Sequence, residues 1–433
     1  MALTGAAPEN TNSINDWYLP GKTTHGHYQI ELKCSACHDA SGVVQEQSCL
    51  DCHARDLKLS KDTHPKSKFA DPTRVVLLEK IDASNCLTCH AEHDPDRTHE
   101  MGLTVPIDYC WHCHEKVADD RPSHKGLAFN TCLNAGCHNY HDNSALYENF
   151  LLKHADEPAL LESMVVKLRA QIPPEKLRPL SKSQLDAPPE KAGDEQLLDD
   201  WVATSHAMHG VNCSACHTPE TESGTAAWQD RVELETCQTC HGSQAESFLE
   251  GKHGMRLAAG LSALSPADAR LPMQHESLHK SMNCSACHAG HRFDTRYAAV
   301  EACLSCHKDE HSLAYKQSSH FELWQHELSG EAAAGSGVSC ATCHMPRIED
   351  SNGKVTVNHN QNWNLEPREK MARSVCMNCH GLGFTLDSLA SPESVSSCYA
   401  TTPAEHVPSI EMARKWFEEK SRKKANRSAL GNQ

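Results

Sequence analysis

Thiol and imidazole groups dominate the chemistry available to this sequence, which carries 23 Cys and 31 His in 433 residues. Ten sets read Cys-x-x-Cys-His: Cys34/Cys37/His38, Cys49/Cys52/His53, Cys86/Cys89/His90, Cys110/Cys113/His114, Cys213/Cys216/His217, Cys237/Cys240/His241, Cys284/Cys287/His288, Cys303/Cys306/His307, Cys340/Cys343/His344 and Cys376/Cys379/His380. An eleventh, Cys132-Leu-Asn-Ala-Gly-Cys137-His138, has four residues between its cysteines, with Gly136 to help the wider loop fold close to a ring. Together they use 22 of the 23 Cys and leave Cys398.

This spacing is the attachment signature of c-type haem. Two thiols add across the two vinyl groups of one porphyrin, and the following His lies beneath the iron as its proximal ligand. At this chain's Cys and His frequencies, chance would produce roughly 0.1 such pentapeptides. A zinc ribbon also needs Cys-x-x-Cys pairs but has no reason to place His after every second Cys. A disulfide framework demands no fixed two-residue gap. Eleven covalently attached haems are therefore expected. Cys398 reads as a buried free thiol.

Proximal duty leaves 20 His, and eleven distal ligands are needed if every iron is bis-His. The candidates include His25 and His27, and the pair His206 and His209, three apart on a helical pattern (Leu197, Leu198, Trp201, Val202) just before Cys213. His275 and His279 stand four apart before Cys284, His291 and His311 follow haem motifs, and His253 and His320 follow helical stretches. A bis-His iron is low-spin and closed to substrate, whereas an iron lacking its sixth ligand would be a reaction site.

The elements that must hold these groups are sparse in ordinary core material. Phe, Trp and Tyr number 8, 7 and 8, and the apolar share is 39%, below the roughly 45–50% of globular chains. Macrocycles are expected to form the core. No stretch approaches the ~18 apolar residues of a membrane span. A net charge of −16 lacks the basic footprint that nucleic acid needs.

Along the chain, residues 1–142 hold five motifs and form an expected pentahaem domain. Residues 143–205 hold none: a helical pattern (Ala145, Leu146, Phe150, Leu151, Leu160, Leu161, Met164, Val165, Leu168) precedes a Pro-rich stretch (Pro173, Pro174, Pro179, Pro188, Pro189) that reads as a linker. Residues 206–433 hold the other six motifs and end in an expected helix from Pro408 to Lys424. With no alternating apolar strands, the fold class expected is mainly α with much coil and no substantial β-sheet.

The whole chain resembles a multihaem cytochrome c. Its C-terminal part, about 206–420, is similar to the hydroxylamine oxidoreductase and octahaem reductase superfamily. The likeness rests on Phe248-Leu-Glu-Gly-Lys-His-Gly254, Cys284-Ser-Ala-Cys-His-Ala-Gly-His-Arg-Phe293, Cys303-Leu-Ser-Cys-His307, Asp309-Glu-His311, Tyr315, Ser319-His320, Cys340-Ala-Thr-Cys-His-Met-Pro346 and Cys376-Met-Asn-Cys-His-Gly381. The resemblance implies His253, His291, His311, His320 and His359 as distal ligands. Where that superfamily has a catalytic haem motif, residues 255–283 contain no Cys and offer Gln274-His275-Glu-Ser-Leu-His279 instead. The superfamily's enzymatic activity is therefore not expected to carry over.

Haem attachment to such motifs takes place on the outer face of the energy-transducing membrane, so a periplasmic or extracellular protein is expected. Met1-Ala-Leu-Thr-Gly-Ala-Ala-Pro8 has neither a charged nor an apolar signal region, as if a signal peptide had been removed or the start lay downstream of one. Propionates would deepen the negative charge and favour redox partners with basic docking patches. The function expected is respiratory electron carriage between a quinol-linked donor and a terminal, extracellular or soluble, acceptor. The alternative is a reductase of nitrogen or sulfur oxyanions at one five-coordinate haem, with His275, His279, Glu310, His311 and Tyr315 as proton donors. If haem replaces an apolar core, the haem-free polypeptide is largely unfolded, as metal-free zinc fingers are; native-like far-UV circular dichroism of that polypeptide would refute it.

Overall fold

The computed structural model describes residues 19–60, 64, 75, 81–99, 102–121, 124–128, 131–134, 140–141, 148–168, 170, 172–218, 227–365 and 368–430. Cys137 and His138 of the eleventh motif lie outside them. The chain forms two compact units, Met1–Ser144 and Ala145–Gln433.

In the first unit the longest described helix is Glu46–Ser60, which carries Cys49, Cys52 and His53. Other helical pieces are single turns: Cys34–Ala36, Cys86–Cys89, Pro95–Arg97, Trp111–His114, Val117–Asp120 and Thr131–Asn134. Four of these six turns hold cysteines of haem motifs. Asn85 caps the Cys86–Cys89 turn by accepting from Leu87 N–H, which satisfies a donor the turn itself cannot. Among described residues only Ile81 and Val105 are buried apolar side chains in this unit. So small an apolar core cannot offset the entropy of ordering such a chain.

The second unit has more conventional packing. Asp194 caps the helix Glu195–Val202, which buries Leu198 and Trp201. The helix Leu234–Glu250 is kinked at His241, whose φ of −110° and ψ of 39° are not helical. Ser318 starts the helix Ser319–Ser329, and Gly330 ends it at a left-handed φ of 80°. Leu151, Leu382, Leu386, Ile410 and Ala413 form one apolar cluster; Met371, Ala372, Val375 and Leu389 form another. The C-terminal helix runs Ser409–Leu430. Two three-residue strands, Arg347–Glu349 and Val355–Val357, pair antiparallel with Ile348 opposite Thr356. The fold is mainly α with much coil, as expected.

Residues 145–205 differ from their sequence pattern. Of the expected helix only Glu148–Lys153 forms, and Ala145 and Leu146 lie outside the described residues. From Leu160 to Leu168 the chain is extended, because its backbone donors go elsewhere. Leu161 N–H donates to the Cys379 carbonyl at 2.8 Å and Val165 N–H to that of Asn378 at 2.9 Å. The Pro-rich stretch expected as a linker is also tied down, with Arg178 and Leu180 N–H donating to Met208 and Ala207 carbonyls. Gly381 N–H donates to the Pro158 carbonyl, and a Cβ at Gly381 would stand 2.4 Å from that oxygen.

Two substitutions test this packing. Leu382, fully buried, replaced by Ala should cost ~2–5 kcal/mol, and Gly381→Ala about 1–3 kcal/mol by pushing the strap from the last motif. Both should lower the guanidinium midpoint of the haem-loaded protein. Gly193→Ala, where an added Cβ meets nothing within 4 Å, serves as the exposed comparison.

Candidate functional site

One turn of helix is enough to gather each motif's reactive groups. The motif His N–H donates back to the first Cys carbonyl in six motifs, for example His38 to Cys34 at 2.8 Å and His380 to Cys376 at 2.8 Å. Residues three and four apart then share a side, so both thiols and the imidazole address one space. Every described cysteine is a free thiol. No group of three or more His, Cys, Asp or Glu able to hold a metal ion occurs among the described residues, whereas a structural zinc needs four ligands.

The thiols differ in how far the polypeptide encloses them. Cys113 is exposed, as are Cys34, Cys52, Cys132 and Cys240, whereas the other described motif cysteines are half-buried. For Cys113 this departs from the enclosed setting that a haem-attaching thiol suggests. The physical reason is local: its turn, Trp111–His114, contains no buried residue and belongs to the unit with so little apolar core. Its partner thiol Cys110 and the Tyr109 hydroxyl still lie close enough to feel its charge, so the motif remains assembled although its second thiol faces outward.

Each of the ten regular motif histidines faces one histidine from outside the motifs. In the first unit the ring centroids are 6.5 Å apart for His38 and His93, 6.0 Å for His53 and His27, 6.4 Å for His90 and His141, and 6.1 Å for His114 and His64. In the second unit they are 5.7 Å for His217 and His291, 5.9 Å for His241 and His206, and 6.3 Å for His288 and His359. His307 and His253 follow at 6.1 Å, His344 and His311 at 6.0 Å, and His380 and His320 at 6.2 Å. Two imidazoles on opposite sides of one metal, each bound at roughly 2 Å, have centroids about 6 Å apart. Ring angles from 8° to 86° show no common stacking geometry.

Several of the far ring nitrogens are anchored, as they are in metal-ligating histidines. His38, His90 and His217 Nδ1 lie 2.8, 3.2 and 2.6 Å from the carbonyls of Gly42, Gly102 and Gln229. His64, His93, His311 and His380 are held by those of Tyr140, Gly21, Val395 and Ala159 at 2.7, 2.7, 2.5 and 2.9 Å. Such a bond places the proton on Nδ1 and leaves the Nε2 lone pair for a metal. His27 instead meets a carboxylate, Glu92 Oε1, at 2.6 Å. Burial alone would raise the Glu92 carboxyl, but hydrogen bonds from His27 and Thr24 outweigh it and hold the group at about 2. Burial lowers the imidazoles of His53, His90, His206, His288, His291, His307, His320 and His359, and His253 and His344 fall to about 4.

Consecutive motifs bring their thiols near one another. Cys49 lies close to Cys86, Cys237 to Cys284 and Cys303 to Cys340. Thiols of the other neighbouring motifs lie within charge-repulsion range: Cys37 and Cys52, Cys89 and Cys110, Cys110 and Cys132, Cys216 and Cys237, Cys287 and Cys303, Cys343 and Cys376. In the second unit one cavity of about 2360 Å³ is lined by Cys213, Cys237, Cys284, Cys303 and Cys376. That exceeds the roughly 300–1,000 Å³ of a single-ligand pocket and fits several large flat groups side by side.

Seven expected distal histidines face motif histidines: His27, His206, His253, His291, His311, His320 and His359. Three do not among the described residues. His25 stacks on Tyr28, His209 Nδ1 is 2.5 Å from the Ser205 carbonyl, and His279 lies in the coil before Cys284. His64, His93 and His141 take part without having been singled out. His93 and His141 stand three residues after a motif His, as His291 does, so the same signal could have found them. His64 has no such local mark.

A histidine in that position faces a different, earlier motif from the one it follows. The backbone turns to allow it: His93 and His291 have φ of 64° and 68°, a left-handed conformation uncommon outside glycine and concentrated at functional sites. The alternative proton-donor set is differently occupied. Tyr315 is buried with its hydroxyl donating to the Val338 carbonyl at 2.8 Å. His311 faces His344, Glu310 opens the helix Glu310–Ala314, and His275 opens the turn His275–Ser277. Cys398 is a half-buried thiol, pushed up to about 11 by burial.

Comparison with known proteins agrees with this arrangement. The model of the Cytochrome c3 family matches residues 26–115 and 205–308, and that of the Cytochrome c552 family matches residues 307–384. Cytochrome c-552 of Haemophilus influenzae is 26% identical over 183 residues, 33% of this chain and 32% of its own. Cytochrome c-552 of Haemophilus ducreyi is 27% identical over 141 residues, 28% of each chain. The chain thus spans about a third of the length of these relatives. No solved structure matches. Motifs suited to two thioether bonds and an axial imidazole, matched by two cytochrome c families, identify this chain as a multihaem c-type cytochrome.

Proposed function

We propose that the chain is an electron carrier holding eleven haems, five in residues 1–142 and six in residues 206–433, with every regular motif closed by a second histidine. The single observation that carries this is the facing of all ten regular motif histidines by ten others. His38, His53, His90, His114, His217, His241, His288, His307, His344 and His380 would be proximal ligands. His93, His27, His141, His64, His291, His206, His359, His253, His311 and His320 would be their respective distal partners. The eleventh haem would use Cys132, Cys137 and His138. Haem supplies a one-electron ferric/ferrous couple, and bis-imidazole ligation leaves no position for substrate.

The polypeptide's own part is to fix ligands and exclude water. Backbone carbonyls hold Nδ1–H, so each Nε2 lone pair is aimed before any group arrives. Fixed ligands need little rearrangement between two oxidation states, which favours rapid transfer. The thiol contacts join neighbouring motifs in chain order, from Cys34 to Cys132 and from Cys213 to Cys376, and support a relay rather than isolated centres. Exposure of Cys34 and Cys52 at one end of the first series and of Cys113 and Cys132 at the other suits exchange of electrons with docked partners.

The proposed setting is the periplasm or cell exterior, between a quinol-linked donor and a terminal acceptor reached through partner proteins. No described helix is long and apolar enough to cross a membrane. With a net charge of −16 before propionates, docking to basic patches should slow as ionic strength rises; salt-independent docking rates would contradict this.

Ligation is tested by carbon monoxide and electron paramagnetic resonance. The reduced protein should bind at most one carbon monoxide per chain, and the ten regular ferric haems should be low-spin. His320→Ala should add one carbon monoxide site. A high-spin haem among those ten in the unaltered protein would favour an oxyanion reductase over a carrier.

A further inference from the structure

We propose that Glu92 sets the potential of the haem held by Cys49, Cys52 and His53, acting as a positioning residue through His27. The proposal rests on the bis-histidine reading of that site. Glu92 Oε1 stands 2.6 Å from His27 Nδ1 and also accepts from Thr24 Oγ1 at 2.9 Å, while Oε2 accepts from Thr24 N–H at 2.6 Å. Three bonds therefore fix one carboxylate behind one ligand.

The other anchored distal imidazoles rest on neutral carbonyls: His64 on Tyr140, His93 on Gly21, His311 on Val395 and His359 on Val357. Among the motif histidines, the Asp309 carboxylate approaches His307 Nδ1 only to 3.6 Å, beyond good hydrogen-bond distance. A carboxylate draws the Nδ1–H proton toward itself and makes Nε2 a stronger electron donor than a carbonyl does. A stronger donor and a nearby negative charge both favour the ferric over the ferrous state, and so lower the potential.

The placement gives this tuning a role in the relay. Within residues 90–93, His90 belongs to the Cys86 motif, Glu92 holds the imidazole facing His53, and His93 faces His38. One short segment thus touches three successive motifs and hydrogen-bonds its carboxylate to the ligand of the middle one. The middle haem thereby becomes harder to reduce than it would be with its ligand on a neutral carbonyl.

The test uses the full haem-loaded protein in a spectroelectrochemical titration read alongside its resonance spectrum. Glu92→Gln keeps the shape and an acceptor oxygen but removes the charge. It should move one haem to higher potential with haem content and low-spin count unchanged. Thr24→Val removes a competing donor from Oε1, so the same haem should move to lower potential; this variant decides the matter if Glu92→Gln fails to retain haem. Potentials unchanged in both variants would overturn the proposal. His27→Ala separates the two levels: a new high-spin haem there, with unmoved potentials in the other variants, would refute Glu92's role alone. No new high-spin haem would refute the ligation itself.

Discussion

Two imidazoles about 6 Å apart can be kept in place only if two separate stretches of chain are kept in place with them. Ten such pairs are distributed over the molecule, and both members of each pair lie within one unit. Every pair is therefore a staple once a group bridges it. This cross-linking accounts for a first unit whose described buried apolar side chains are Ile81 and Val105 alone. What an ordinary domain obtains from Leu, Ile and Phe, this one obtains from flat apolar rings held by thioether and imidazole bonds.

The same constraint explains the high proportion of irregular chain. An imidazole's far nitrogen needs an acceptor, and helices and sheets have already committed their carbonyls to each other. The acceptors come instead from turns and irregular chain at Gly21, Gly42, Gly102 and Gln229, and from Val395 near the end of the short helix Pro392–Ser396. Close approach follows: a Cβ on Gly21 would sit 2.4 Å from the His93 carbonyl oxygen, while Gly21 itself accepts from His93. The left-handed backbone at His93 and His291 is a local cost of about 1–3 kcal/mol each that the surrounding ligation can sustain.

Packing of ordinary side chains matters more in the second unit, where it joins the last motif to the strap of residues 154–168 and to the C-terminal helix. Leu151, Leu382 and Ile410 meet there, so the motif at Cys376 is buttressed by protein as well as by its ligands. The motif at Cys110 and Cys113 has no such buttress, and its second thiol is accordingly exposed. The strap also shows why a 3.6-residue apolar pattern misled at Leu160 to Leu168: its N–H groups found carbonyls at Asn378 and Cys379, and tertiary hydrogen bonds outweighed weak helix propensity.

The haem chemistry, the grouping of each motif's thiols with its own imidazole and the scarcity of strand were legible without coordinates, because those depend on neighbours within one helical turn. A thiol at i and an imidazole at i+4 share a side whatever the remainder of the chain does. His291, and in principle His93 and His141, could be recognised from the same short-range spacing. His64 and His359 could not, and the choice of His206 over His209 turned on one helical position. Which histidine meets which motif, and which thiols the chain encloses, belong to the folded arrangement. A loop of tens of residues closes at nearly the same entropic cost whichever partner it reaches, so chain distance carries no information about pairing. Carbonyl anchors and backbone turns made the selection, and they exist only once distant segments have met.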